Sequence, residues 1–194
     1  MLRSPRRAEK IRRVLAHRQP DCTVVMENIH DPHNVSAVLR SCDAVGMLRV
    51  ELLYTVEKFP HIGKKSSSSA NKWLELRKNK SVDGCYKTLR DEGFTIYATH
   101  LGGSPVSLYD LDMTKKVALV FGNEHRGVSE EARAKADGIF QIPMLGMIQS
   151  LNVSVACAVS LYEMLRQRLA KGDLIHPKLC EAELTERYND WIKR

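Results

Sequence analysis

The chain has no run of about 18 consecutive apolar residues, so no membrane-spanning helix is expected. Its basic start carries no apolar stretch, which argues against a secretion signal. Its five cysteines, Cys22, Cys42, Cys85, Cys157 and Cys180, are odd in number, widely spaced and form no C-x-x-C pair. That spacing speaks against a zinc site or a disulfide frame and for reduced thiols in the cytoplasm, with no metal expected. No G-x-G-x-x-G, G-x-x-x-x-G-K-[ST] or G-x-S-x-G occurs, which weighs against a dinucleotide site, a nucleotide triphosphatase and a serine hydrolase. Acidic residues are short as well: 23 stand against 30 lysines and arginines, a formal charge of +7 that favours a polyanionic partner.

What is present describes one ordinary core. The 194 residues are 43% hydrophobic and 27% charged, which suits a single globular domain. Residues 2–18 read as a helix opened by Ser4-Pro5, with Ile11 and Leu15 on a narrow apolar stripe. Around that stripe stand seven cations (Arg3, Arg6, Arg7, Lys10, Arg12, Arg13, Arg18) and one acid, Glu9. This imbalance suits a phosphate backbone better than mere solubility.

Strands and helices then alternate. Strands are expected at 23–26, 48–54, 73–76, 94–101, 116–121 and near 139–142, and helices at 34–45, 81–92, 129–136, from about 150 onward, and 181–192. The alternation predicts an α/β fold with a mostly parallel sheet and helices on both faces. The basic helix (1–20) and the last helix (172–194) read as extensions of a core at 21–171. The run Ser66–Ser69, next to Lys64 and Lys65, reads as a flexible tip.

Three polar strand ends stand out: His33-Asn34 with Arg40, Gly122-Asn123-Glu124, and Gln149-Ser150-Leu151-Asn152. Polar tips at successive strand ends suggest one crevice at the carboxyl edge of a parallel sheet. Each residue also has a plain structural alternative. Asn34 sits where a helix N-cap belongs, Ser150 or Asn152 could cap the helix that follows, and Arg40 could be a solvated charge. His100 at a strand end is most often structural.

The stretches NVSAVLRSCDAVG (Asn34–Gly46), FGNEHRGVS (Phe121–Ser129) and IPMLGMIQSLNVSVACAVSLYE (Ile142–Glu163) resemble, in order and character, the three motifs of the SpoU-type SPOUT methyltransferases. The terminal helices are similar to those of family members that methylate the 2′-hydroxyl of guanosine 18 in tRNA. The resemblance implies a deep C-terminal trefoil knot, a homodimer with active sites at the subunit interface, and S-adenosylmethionine bent into the knot. The cofactor would lie near Thr99, His100, Leu101, Gly122, Ile142 and Leu151. Arg40 would act on the ribose hydroxyl as base or as electrostatic stabiliser, with Asn34, Glu124, Ser150 and Asn152 building the site around it. Arg7, Lys10, Arg18 and His33 would capture tRNA. Family members acting on ribosomal RNA or on the tRNA wobble ribose, and a non-catalytic RNA-binding module, are the competing readings.

Overall fold

A computed structural model of the chain describes residues 4–59, 70–102 and 105–194. The serine run, Lys64, Lys65 and Gly103 fall outside them. The elements in order are α1 (Pro5–Ala16), β1 (Gln19–Glu27), α2 (Pro32–Ala44), β2 (Met47–Leu53), β3 (Glu75–Asn79), α3 (Val82–Asp91), β4 (Thr95–Thr99), β5 (Val106–Ser107), β6 (Val117–Phe121), α4 (Glu130–Ala134), β7 (Gly138–Gln141), α5 (Val153–Lys171) and α6 (Glu181–Trp191). Seven strands form one sheet in the order β3-β2-β1-β6-β4-β7-β5, and every pairing is parallel.

The central strand β1 shows how the sheet is buried on both faces. Val24 and Met26 point into a core completed by Val35, Val38, Leu39 and Cys42 of α2 and Cys157, Leu161 and Met164 of α5. Val25, one residue out of phase, points into a second core with Val82, Cys85, Tyr86 and Leu89 of α3 and Ala132 of α4. Two-sided burial explains the unbroken apolar runs of β1 and β6, since alternation is useful only where one face meets water. A buried aliphatic side chain is worth about 1.5–3 kcal/mol, so these two layers hold the sheet together.

Two local expectations are corrected, and one short strand is added. Helix α2 begins before Asn34: Pro32 occupies its first turn and Asp31 is the cap, its Oδ1 accepting from the His33 N–H at 2.8 Å. Asn34 is thereby released from capping. The third strand is Glu75–Asn79 rather than 73–76. As an edge strand it can be charged and short of apolar residues. Trp73 turns away to pack against Trp191, with ring centroids 5.0 Å apart and the rings tilted at 57°. The two-residue strand β5 gave no sequence signal.

The terminal helices do not hang separately on the core. Ile11 and Leu15 of α1 pack with Trp191 of α6, joined by Trp73, Leu184 and Tyr188, as a third apolar cluster. Helix α5 ends on Gly172 at φ 77°, where the left-handed backbone suits glycine. Its last turn is fastened by Arg168, fully buried, whose guanidinium donates to Gln19 Oε1, Asp21 Oδ1 and the carbonyls of Met113, Asp21 and Lys115.

Candidate active site: a cleft at the carboxyl edge of the sheet

The ends of β4, β6 and β7 open into a cleft of about 590 Å³. It is lined by Thr99, His100 and Leu101 from the end of β4, Phe121, Gly122 and Glu124 from the end of β6, and Gln141, Ile142, Met144, Ser150, Leu151 and Asn152 from the end of β7 and the loop before α5. All six residues expected to hold a cofactor therefore share one wall system, together with Glu124, Ser150 and Asn152. The lining mixes apolar and polar side chains in similar numbers, and its volume is that of a small-molecule site.

Gly122 is required by its neighbours. A Cβ there would stand 2.1 Å from the Gly127 carbonyl carbon, because the chain turns back to form a two-bond bridge between Asn123 and Gly127. Gly127 closes that turn at φ 68°. The Asn123 side chain holds the loop from both ends: its Nδ2 donates to the Asn28 carbonyl, and its Oδ1 accepts from the N–H groups of His125 and Arg126.

Glu124 is the centre of a polar network. Its carboxylate accepts from the His30 N–H at 3.0 Å, the Asp31 N–H at 3.2 Å and Asn34 Nδ2 at 2.8 Å. Asn34 Oδ1 in turn accepts from Asn152 Nδ2 at 3.1 Å. Asn152 caps α5, its Oδ1 accepting from the Ser154 N–H and hydroxyl. One chain of bonds thus joins the ends of β1 and β6 to the starts of α2 and α5. Burial pulls the Glu124 carboxyl upward, but the bonds from Asn34 and the backbone of His30 and Asp31 outweigh it and hold it below its ordinary 4.5.

At the end of β4, His100 Nε2 lies 2.7 Å from Arg133 Nη1. Burial, and then the Arg133 charge, keep the imidazole below its ordinary value, so it is neutral near pH 7.

Arg40 is not in the cleft of its own chain. It lies on α2 six residues past Asn34, about 9 Å along the axis. It is exposed and faces an open groove with Asp43, Ala70 and Tyr162. Arg7, Lys10 and His33 reach solvent in part or fully. Arg18 does not, which corrects its assignment to RNA. It is 1% exposed, donates to Asp43 Oδ1 and the Met47 carbonyl, and lies 5.0 Å from the Trp191 ring. With these contacts it cannot reach a phosphate and acts as a packing residue.

Two residues of this region had not been singled out. Asn28, at φ 50°, accepts from the N–H groups of Thr55, Val56 and Glu57. A polar residue that tolerates left-handed backbone, placed just after an apolar strand, was the available signal. Arg133 follows a helix cap and offered no signal, since only the fold brings it beside His100. Among the described residues no cluster of three or more His, Cys, Asp or Glu could hold a metal, and no helix is long and apolar enough to cross a membrane.

The profile of the SpoU rRNA Methylase family matches residues 21–162. A tRNA (guanosine(18)-2′-O)-methyltransferase of Thermus thermophilus is 46% identical over 192 residues, 99% of this chain and 98% of that protein. The crystal structure of the Aquifex aeolicus TrmH/SpoU tRNA modifying enzyme superposes with a TM-score of 0.91 at 38% identity, covering 97% of this chain and 95% of that one. The SpoU methyltransferase AviRb of Streptomyces viridochromogenes, solved with the cofactor AdoMet, superposes at 0.68 with 26% identity, covering 80% and 62%.

Proposed function

The chain belongs to the SpoU rRNA Methylase family, and from that membership we propose that it transfers a methyl group from S-adenosylmethionine to a ribose 2′-hydroxyl of tRNA, that of guanosine 18. The observation that carries the reading is the near-complete overlap, at 46% identity, with a relative named for that reaction, together with a cleft in which every expected cofactor residue meets.

The cleft suits the cofactor. Its volume matches an adenosine-sized ligand, and its walls offer apolar and polar groups in similar measure. When bound, S-adenosylmethionine supplies a methyl group on a sulfonium whose departure as a neutral thioether needs no acid. The chain's own task is to align a poor nucleophile. Thr99, His100, Leu101, Gly122, Ile142 and Leu151 hold the donor. The Glu124–Asn34–Asn152 chain fixes the start of α2 relative to the loop before α5, and Ser150 stands exposed on that loop.

The acceptor side falls to Arg40. A guanidinium stays protonated, so its role is to hold an RNA phosphate and to stabilise the developing alkoxide, while the hydroxyl proton passes to solvent water. Because Arg40 faces away from its own cleft, the site is completed in a homodimer, where a partner's Arg40 meets this chain's cleft. Exposed apolar side chains support such an interface: Leu145, Met147 and Ile148 stand in the loop before α5, and Val155 and Tyr162 on its outer face. The loop at 142–152, passing from β7 across to α5, is the segment of a trefoil knot. Residues 21–171 form the catalytic unit, Arg7, Lys10 and His33 meet phosphates, and the enzyme works in the cytoplasm, where its free thiols stay reduced.

The test is incubation with labelled S-adenosylmethionine and unmodified tRNA, followed by mapping of the label. One methyl on the ribose of nucleotide 18 supports the reading. A methyl at the wobble ribose, or on ribosomal RNA only, would replace the substrate.

A further inference from the structure

We propose that the basic helix α1 captures tRNA for the Arg40 of its own chain and therefore for the donor cleft of the partner, never for the cleft of its own chain. This rests on the shared site proposed above.

The argument is one of placement. All strands run parallel, so the sheet has an amino edge and a carboxyl edge. The donor cleft lies at the carboxyl ends of β4, β6 and β7. The unit made by α1 and α6 is tied to the other edge: Trp191 packs against Trp73, just before β3, and Arg187 pairs with Glu75, the first residue of β3. Arg18, at the end of α1, donates to the carbonyl of Met47, the first residue of β2. The nine residues of β1 separate these edges by roughly 25–30 Å. The cleft also lies toward the far side of the sheet, past β1.

Helix α2 runs back from the cleft toward the amino edge, and Arg40 sits near its far end. The groove that holds Arg40 is lined by Asp43, and Asp43 is bound by Arg18, which stacks on Trp191. A relay of two contacts, Trp191 to Arg18 and Arg18 to Asp43, therefore couples the basic unit to Arg40's groove. The α1 face that carries Lys10 and Arg6 is exposed on the same unit. RNA held there reaches Arg40 of the same chain first, and that arginine completes the partner's site.

Mixed dimers carrying two purification tags test this. In the control, one chain carries Arg40→Ala and the other Asn152→Ala, or Ser150→Ala if the Asn152 variant unfolds. One composite site stays intact, so about half the wild-type turnover is expected. A dead control counts against the shared site itself. Arg6→Gln with Lys10→Gln is then added to one chain or the other. On the Arg40→Ala chain it should leave the control's tRNA KM unchanged. On the cleft-variant chain it should raise that KM on the order of tenfold, as two lost phosphate contacts require. The opposite assignment, or equal effects from both chains, with a live control, overturns the proposal.

Discussion

Replacing Glu124 by alanine removes the acceptor of three donors at once: two backbone N–H groups, of His30 and Asp31, and Asn34 Nδ2. Each such bond contributes about 0.5–1.5 kcal/mol net, and the pocket is open enough for water to replace part of the loss. The expected destabilisation is about 2–4 kcal/mol. For a chain of this length that is a fall in Tm of roughly 4–16 °C by thermal unfolding. Glu124→Gln keeps the shape and one acceptor and should lose about half as much.

The pH dependence gives the sharper test. The folded carboxyl is held below 4.5, so its stabilisation is present above that value and is lost as pH falls through the lower folded value. The Tm gap between wild type and Glu124→Gln should therefore be widest near neutrality and close as pH falls below 4.5 through the lower folded value. A gap that persists unchanged in acid, or a Glu124→Ala protein as stable as wild type, would refute the network as the organiser of this site.

Other consequences follow from single contacts. Gly122→Ala forces the Gly127 backbone to move and should weaken binding of S-adenosylhomocysteine on the order of a hundredfold, measured by calorimetry. Arg168→Met leaves Asp21 with Lys178 alone and should cost about 3–5 kcal/mol, with Arg168→Lys giving poor rescue in thermal unfolding. Arg18→Gln should lower Tm without changing the salt slope of tRNA binding, whereas Arg7→Gln with Lys10→Gln should flatten that slope by about one unit per lost contact in a filter-binding titration. Arg40→Ala should abolish methyl transfer while leaving Tm unchanged, and Arg40→Lys should recover little of it.

The elements were legible wherever burial writes a pattern. The two-sided strands β1 and β6 and the stripe of α2 follow from apolar spacing. Where tertiary contacts decide, the sequence was silent. The charged strand β3 depends on its place at the sheet edge, and β5 on pairing with β7. Arg18 shows the same limit from the other side. By composition it belongs with the cations of α1, yet the fold places Asp43, Met47 and Trp191 around it and withdraws it from solvent. The site residues of the three polar strand ends were legible as types, but their connection was not. That Asn34 bridges Glu124 and Asn152 depends on Asp31 capping α2, which frees the asparagine side chain to do so.

The central claim is that the sugar hydroxyl of guanosine 18 receives the methyl group. The direct measurement uses a tRNA in which that nucleotide alone is 2′-deoxy. Binding should match that of the unmodified tRNA, and methyl incorporation from S-adenosylmethionine should fall to background. Undiminished incorporation would contradict the account.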